Sequence, residues 1–238
     1  MKPFLMRFSE LKTENVDFDF HVHTDITDGT EPPEKMIAAA IKKNLKKIAF
    51  TEHVTRETRW YRSFVDKINY LKNNSEIVIY FGAEAKVIDF YGNIDIPTDI
   101  AGIPELLVGV VHRYPDGNNG FLSLDQISEL GSEQACETEF KLLLSMIQNR
   151  QNGVDVIGHP FGVYLKYYKI FPDDLYEKIL SESLKCGKAI EINTKYLLND
   201  SALMPLKKIN PYISLGSDAH TAEDIARSYN IIKNWVKK

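Results

Sequence analysis

The sequence predicts a single-domain α/β barrel of seven parallel strands, and three observations predict it. Short runs rich in β-branched and aromatic residues alternate with longer amphipathic segments from end to end, as in successive βα units. Seven such runs in 238 residues leave about 34 residues per unit, a usual βα length. No internal repeat, low-complexity tract or Pro/Gly/Ser-rich linker divides the chain.

The expected strands are Asp17 to His21, Lys47 to Thr51, Ile77 to Gly82, Leu106 to His112, Val154 to Gly158, Ala189 to Asn193 and Ile213 to Gly216. Between them the expected helices are Pro33 to Leu45, Trp60 to Asn73, Glu133 to Gln151, Pro172 to Cys186, Ala202 to Ile209 and Ala222 to Lys237. Pro33 suits a first helical turn, and Gly187 and Asn152-Gly153 stand where helices should stop. Phe140, Leu143, Leu144 and Ile147 recur at helical spacing. Residues 89–104 and 113–120 are the least regular and read as loops near a site. Residues 1–16 read as an N-terminal extension and residues 17–238 as the domain.

With 44% hydrophobic and 26% charged residues, the chain has the balance of one globular core. Lys and Arg total 29 against 33 Asp and Glu, so a formal charge of −4 offers no general attraction for nucleic acid or anionic membrane. Cys136 and Cys186 lie far apart without metal-ligand spacing, as expected in a reducing compartment. The stretch MKPFLMRFSELKTEN is charged where a signal peptide needs an apolar run, and no segment approaches the length of a membrane span. A soluble, cytoplasmic protein is expected; its oligomeric state is not set by these features.

All six histidines fall at or just beyond expected strand ends, and the donors His23, His53, Glu84 and His112 recur 30, 31 and 28 residues apart, roughly one βα unit. In a parallel barrel those ends open on one face, where active sites are built. Residues i and i+2 of a strand point the same way, so His21 and His23, and likewise Asp218 and His220, can each offer two donors to one cavity. Each piece alone has an ordinary explanation: Asp28 sits in TDGT, a common turn sequence. Together they give His21, His23, Asp28, His53, Glu84, His112, His159, Asp218 and His220, too many donors for one ion. Mixed nitrogen and oxygen ligation without thiolates suits two to three Zn, Mn or Fe ions sharing a bridging carboxylate.

The strings DFHVHTDITDGT, AFTEH, FGAE, GVVHR, IGHP, IEINT and LGSDAH, in this order, resemble the polymerase and histidinol phosphatase (PHP) superfamily over about residues 17–237. That resemblance implies a distorted (β/α)7 barrel, a trinuclear metal centre and hydrolysis of phosphoesters. It implies that His21, His23 and Asp218 hold a first metal, that Glu84 bridges it to a second held by His112 and His159, and that Asp28, His53 and His220 bind a third. IEINT and SDAH most resemble the histidinol-phosphate phosphatase branch, and Glu52 is taken as support for the neighbouring histidine. The tyrosine-protein phosphatase branch typically has Pro where this chain has Glu52, which disfavours it.

The expected activity is hydrolysis of a small phosphate monoester, with histidinol phosphate the named substrate, by a metal-activated hydroxide. Glu84, Asp218 and His220 are the expected catalytic groups, and no side-chain nucleophile is evident. Arg113, directly after His112, is the expected phosphate ligand, with Arg56 and Arg59 next, because a guanidinium matches phosphate oxygens bidentately. Two alternatives stand beside this: a phosphodiesterase or exonuclease on nucleotides or single strands, and a non-catalytic metal-binding regulatory module. For the exonuclease the candidate contacts are Lys42, Lys43, Lys46 and Lys47, and Lys166-Tyr167-Tyr168-Lys169.

Overall fold

In the computed structural model, which describes residues 2, 4–118, 120–196 and 200–237, eight strands form one sheet. They are β1 (Met6–Arg7), β2 (Phe18–Val22), β3 (Lys47–Val54), β4 (Val78–Lys86), β5 (Leu106–Val110), β6 (Val156–Ile157), β7 (Ala189–Asn193) and β8 (Tyr212–Gly216). From β2 to β8 each strand pairs in parallel with the next. Beyond the end of β8, Ala219 bridges to Val22 of β2 in parallel, with His23 N–H donating to Ala219 O at 2.9 Å. One short bridge thus joins the outer members of the seven-strand series, which is the distortion of the expected barrel.

The strands are covered by helices, as a parallel sheet buried on both faces requires. They are α1 (Pro33–Lys42), α2 (Tyr61–Lys72), α3 (Leu124–Glu129), α4 (Ser132–Gln148), α5 (Gly162–Tyr168), α6 (Asp173–Cys186), α7 (Asp200–Ile209) and α8 (Tyr229–Trp235). Pro33 opens α1, and Gly187 closes α6 with a left-handed backbone (φ 69°), both as expected. On α4, Leu143 and Ile147 are fully buried, whereas Phe140 and Leu144 are half-buried at the flank of the apolar stripe.

Three features differ from the sequence expectation. Residues ahead of Asp17 supply β1, which pairs antiparallel with β8, and Leu5, Phe8, Leu11 and Val16 enter the core. The short helices α3 and α5 carry too few turns to show a period. The expected helix from Ala222 to Lys237 is broken, because Ala226 and Ser228 take left-handed backbones (φ 50° and 56°). The break is anchored by Asp19 Oδ2, which accepts the Ala226 N–H at 2.9 Å, and by the Tyr229 hydroxyl on Phe18 O.

Alternation along β2 sets up the site. Phe18 and Phe20 pack with tilted rings at 4.6 Å between centroids, and Phe20 meets Phe4 and Tyr80. Asp19 and His21, on the other face, meet polar partners inside. The register against β3 shifts between Asp19 and Val22, a bulge of the kind that re-aims side chains beside active sites. In the β3–β4 ladder, His53 is the register partner of Glu84.

Candidate metal centre

Glu84, near the end of β4, is buried and ringed by five imidazoles. Its Oε1 lies 3.2 Å from His21 Nε2, 3.3 Å from His112 Nε2 and 3.1 Å from His159 Nε2. Its Oε2 lies 2.6 Å from His53 Nδ1 and 3.7 Å from His23 Nε2. His23 Nε2 also stands 3.6 Å from Asp218 Oδ1. Asp28, half-exposed in the loop after β2, brings Oδ2 to 3.2 Å from His53 Nε2 and 3.3 Å from His220 Nε2.

All nine ligands expected from the sequence therefore meet at one end of the barrel. Three compact groups emerge: His21, His23 and Asp218; His23, Asp28, His53 and His220; and His53, Glu84 and His112. Within each, one donor atom per residue lies within 4.8 Å of the others. His23 and His53 each belong to two groups, so they stand between neighbouring positions rather than in one alone. His112 lies two residues past the end of β5, not on the strand itself.

The residues fit metal ions on an observation independent of the motif. Both ring nitrogens of His23 are buried with no hydrogen-bond partner, the nearest carboxylate oxygens standing 3.6 to 4.0 Å away. Buried polar atoms are almost always paired, so an imidazole with both nitrogens unpaired among carboxylates and other imidazoles calls for a cation.

Charge in the centre is tightly balanced. Burial would raise the Glu84 carboxyl, yet the histidines, His112 and His21 foremost, hold its pKa well below the usual range. Burial opposes the imidazolium of His21, but the carboxylates of Glu191 and Glu84 outweigh it and hold its pKa well above normal. Burial likewise opposes charge on His53, and Glu84 and Asp28 carry it up to about 9. His23, without so close a carboxylate, is driven well below its usual range by burial.

Several supporting residues escaped the sequence reading. Glu191 on β7 accepts from His21 Nδ1 at 2.8 Å and, through Oε2, from the His159 N–H at 2.5 Å. Gly216 makes room for it, since a Cβ there would stand 1.8 Å from Glu191 Oε1. Asp19 accepts from Ser217 N–H at 2.9 Å and Ser217 Oγ at 2.5 Å, fixing the segment before Asp218. Glu139 on α4 accepts from Tyr114 Oη at 2.9 Å and from the Val163 and Tyr164 N–H groups at 3.3 and 2.6 Å, tying down the start of α5 after His159. His159 and Asp218 both have positive φ (26° and 51°), a cost of about 1–3 kcal/mol each that such fastening sustains. The signal for Glu191 and Asp19 was available: an acid inside a strand buried on both faces must have a partner.

Glu52 does not support His53, as expected from the sequence; adjacent strand residues point apart. Its Oε1 accepts from Thr24 N–H and Oγ1 at 3.0 and 2.6 Å, and its Oε2 from Thr27 Oγ1, so it fastens the loop that carries Asp28.

A pocket of about 250 Å³ opens beside the ligands, walled by Val111, Gly162, Val163, Lys166, Lys195 and Tyr196 as well as by His53, His112, His159, Asp218 and His220. Lys195 Nζ lies 2.8 Å from Asp218 Oδ2. None of the three arginines expected to bind phosphate lines this pocket. Arg113 is exposed, and Arg56 stands by Asp95 and Arg59 by Glu57 on a separate depression. No described helix is long and apolar enough to cross a membrane.

An α/β barrel that brings six imidazoles and three carboxylates to one centre has the donor set of a metal-dependent hydrolase. A family described as PHP domain matches residues 19–195, and the chain belongs to that family. A curated protein of Caldicellulosiruptor bescii named "Probable phosphatase" is 28% identical over 206 residues, covering 82% of this chain and 75% of that one. The crystal structure of histidinol phosphate phosphatase from Lactococcus lactis, complexed with zinc, L-histidinol and phosphate, superposes with a TM-score of 0.68 at 21% identity. It covers 92% of this chain and 93% of its own. A structure from Listeria monocytogenes gives 0.73 at 18% identity, covering 90% and 98%. At these identities the two structures bear on the fold.

Proposed function

We propose that this chain hydrolyses a small phosphate monoester, water replacing the alcohol at phosphorus to give the free alcohol and inorganic phosphate, with two to three divalent Zn, Mn or Fe ions bound. The observation that carries this reading is the convergence of five imidazoles on both oxygens of Glu84, with both buried ring nitrogens of His23 left without partners. His21, His23, Asp218 and Glu84 would hold one ion, Glu84 with His112 and His159 a second, and Asp28, His53 and His220 a third. Such ions lower the pKa of water towards neutrality and offset charge on phosphoryl oxygens.

The remaining work falls to the chain's own groups. Glu191 fixes the tautomer of His21 by taking its Nδ1–H, which leaves Nε2 free to face Glu84. His220 Nδ1 lies 3.0 Å from the Asp218 carbonyl, which aims Nε2 at Asp28 in the same way. Lys195, held by Asp218 on the pocket wall, supplies positive charge to phosphoryl oxygens beside the ligands. At about 250 Å³ the pocket is smaller than the ~300–1,000 Å³ of drug-sized ligand sites, which favours a small ester over a polymer.

Two of the residues considered for a nucleic-acid track are engaged within the protein. Lys43 Nζ donates to Glu223 O and Ile225 O, and the Tyr168 hydroxyl donates to Ile127 O, so neither is free to follow a strand. The test is release of inorganic phosphate from matched monoesters and diesters, after chelator treatment and again with Mn²⁺ or Zn²⁺ restored. Turnover of monoesters only with metal is expected; turnover of diesters alone would overturn the reading.

A further inference from the structure

Apart from the ligands, the charged groups on the pocket wall are both positive, Lys195 and Lys166. Lys195 is engaged by Asp218. Lys166, on α5, is exposed and has no ion pair among the described residues, although its side chain lines the pocket.

Among the described residues, the carboxylates nearest the pocket are committed elsewhere. Glu84, Asp28 and Asp218 belong to the ligand groups. Glu191 is turned to His21 and to the His159 N–H, Glu139 to Tyr114 and the start of α5, and Glu52 to Thr24 and Thr27. An ammonium or imidazolium on the alcohol part of the substrate would therefore meet two lysines and no free acid. A neutral alcohol would meet Val111, Val163 and Tyr196 and leave Lys166 unused. An anion would pair with it.

We infer that the substrate is a phosphate monoester whose alcohol carries a second negative charge, a carboxylate or a second phosphate, and that Lys166 is the residue that reads it. The inference rests on the monoesterase reading above. It gives a chain of net negative charge two lysines on one pocket wall, the arrangement that concentrates a multiply charged anion against the overall charge.

The test uses the metal-loaded protein and a matched set of three-carbon monoesters: glycerol phosphate as the neutral alcohol, phosphoglycerate and propanediol bisphosphate as the anionic ones, and an aminopropanol phosphate as the cationic one. We expect kcat/KM for at least one anionic ester to exceed that for the neutral ester by about tenfold, with the cationic ester below both. Whichever anionic ester leads identifies the second group. Lys166→Gln should bring the anionic-to-neutral ratio close to one, chiefly through KM. Equal turnover of all four esters, or an unchanged ratio in Lys166→Gln, would overturn the inference while leaving the monoesterase reading intact. Failure to turn over any monoester would overturn both.

Discussion

Glu191 stands 2.8 Å from His21 across the barrel interior and, with its other oxygen, takes the backbone N–H of His159. One carboxylate thus positions two candidate ligands that lie 138 residues apart in the chain. Their common orientation towards Glu84 depends on a residue outside the three ligand groups.

Removing that charge should loosen the ligands without deleting one. Glu191→Gln retains an acceptor for His21 but faces the His159 N–H with a donor or a displaced oxygen. We expect metal affinity to fall about 10–100-fold, the range for changes behind a ligating histidine, with the fold retained. Titration of chelator-stripped protein checks it; wild-type affinity would remove Glu191 from the site. Gly216→Ala should be more damaging still, since its Cβ would overlap Glu191 Oε1.

Glu84→Gln keeps the shape of the central carboxylate and removes its charge. Five imidazoles would then face a group that cannot bridge cations, so we expect loss of at least one ion per chain and of nearly all turnover. Elemental analysis beside activity checks it. Full metal content with normal turnover would make Glu84 a bystander. In the unmodified protein, added Mn²⁺ or Zn²⁺ should raise the melting temperature in a concentration-dependent way, as a ligand of the native state must.

The histidines were legible because imidazole is scarce here and all six copies fall at or just past strand ends, which topology carries to one face. The same reasoning could not separate the groups of ligands, since His23 and His53 are shared and sharing depends on side-chain direction, not on spacing. Arg113 looked well placed for a similar reason: adjacency to His112 was visible, while its exposure outside the pocket was not. Lys195 directly follows the β7 segment at the same barrel face, yet a lone lysine after IEINT carries no period or motif to mark it. The break at Ala226 and Ser228 depends on Asp19, some two hundred residues away, and no local window contains that contact.

Stability should also report on Glu139. Burial pushes its carboxyl from 4.5 up to about 7, despite hydrogen bonds from Tyr164, Tyr114 and Val163 that pull the other way. The folded state then binds its proton more tightly than the unfolded chain, so its contribution is complete below about pH 4.5 and is lost as pH rises through about 7. The loss is on the order of 3 kcal/mol. Glu139→Gln mimics the protonated form and should flatten that part of the pH–stability curve, measured by denaturant unfolding of metal-free protein. An unaltered slope between those limits would show that Glu139 does not titrate there.

The phosphate contact gives the sharpest contrast between chain position and structure. Lys195 lies on the pocket wall with its ammonium on Asp218, whereas Arg113 is exposed outside it. Lys195→Met keeps much of the stem and removes the charge, so the phosphoryl oxygens lose one charged contact while every ligand remains. A hydrogen bond to a charged group contributes ~1.5–3 kcal/mol, which corresponds to roughly 10–100-fold in kcat/KM. Because Asp218 also loses its partner, metal content has to be measured on the same sample, and we expect it to be retained. Arg113→Lys serves as the counterpart and should leave kcat/KM within about twofold, since a surface change away from the pocket alters little. A large loss in Arg113→Lys together with a mild effect in Lys195→Met would return the phosphate to the guanidinium and require the segment after β5 to turn inward when substrate binds.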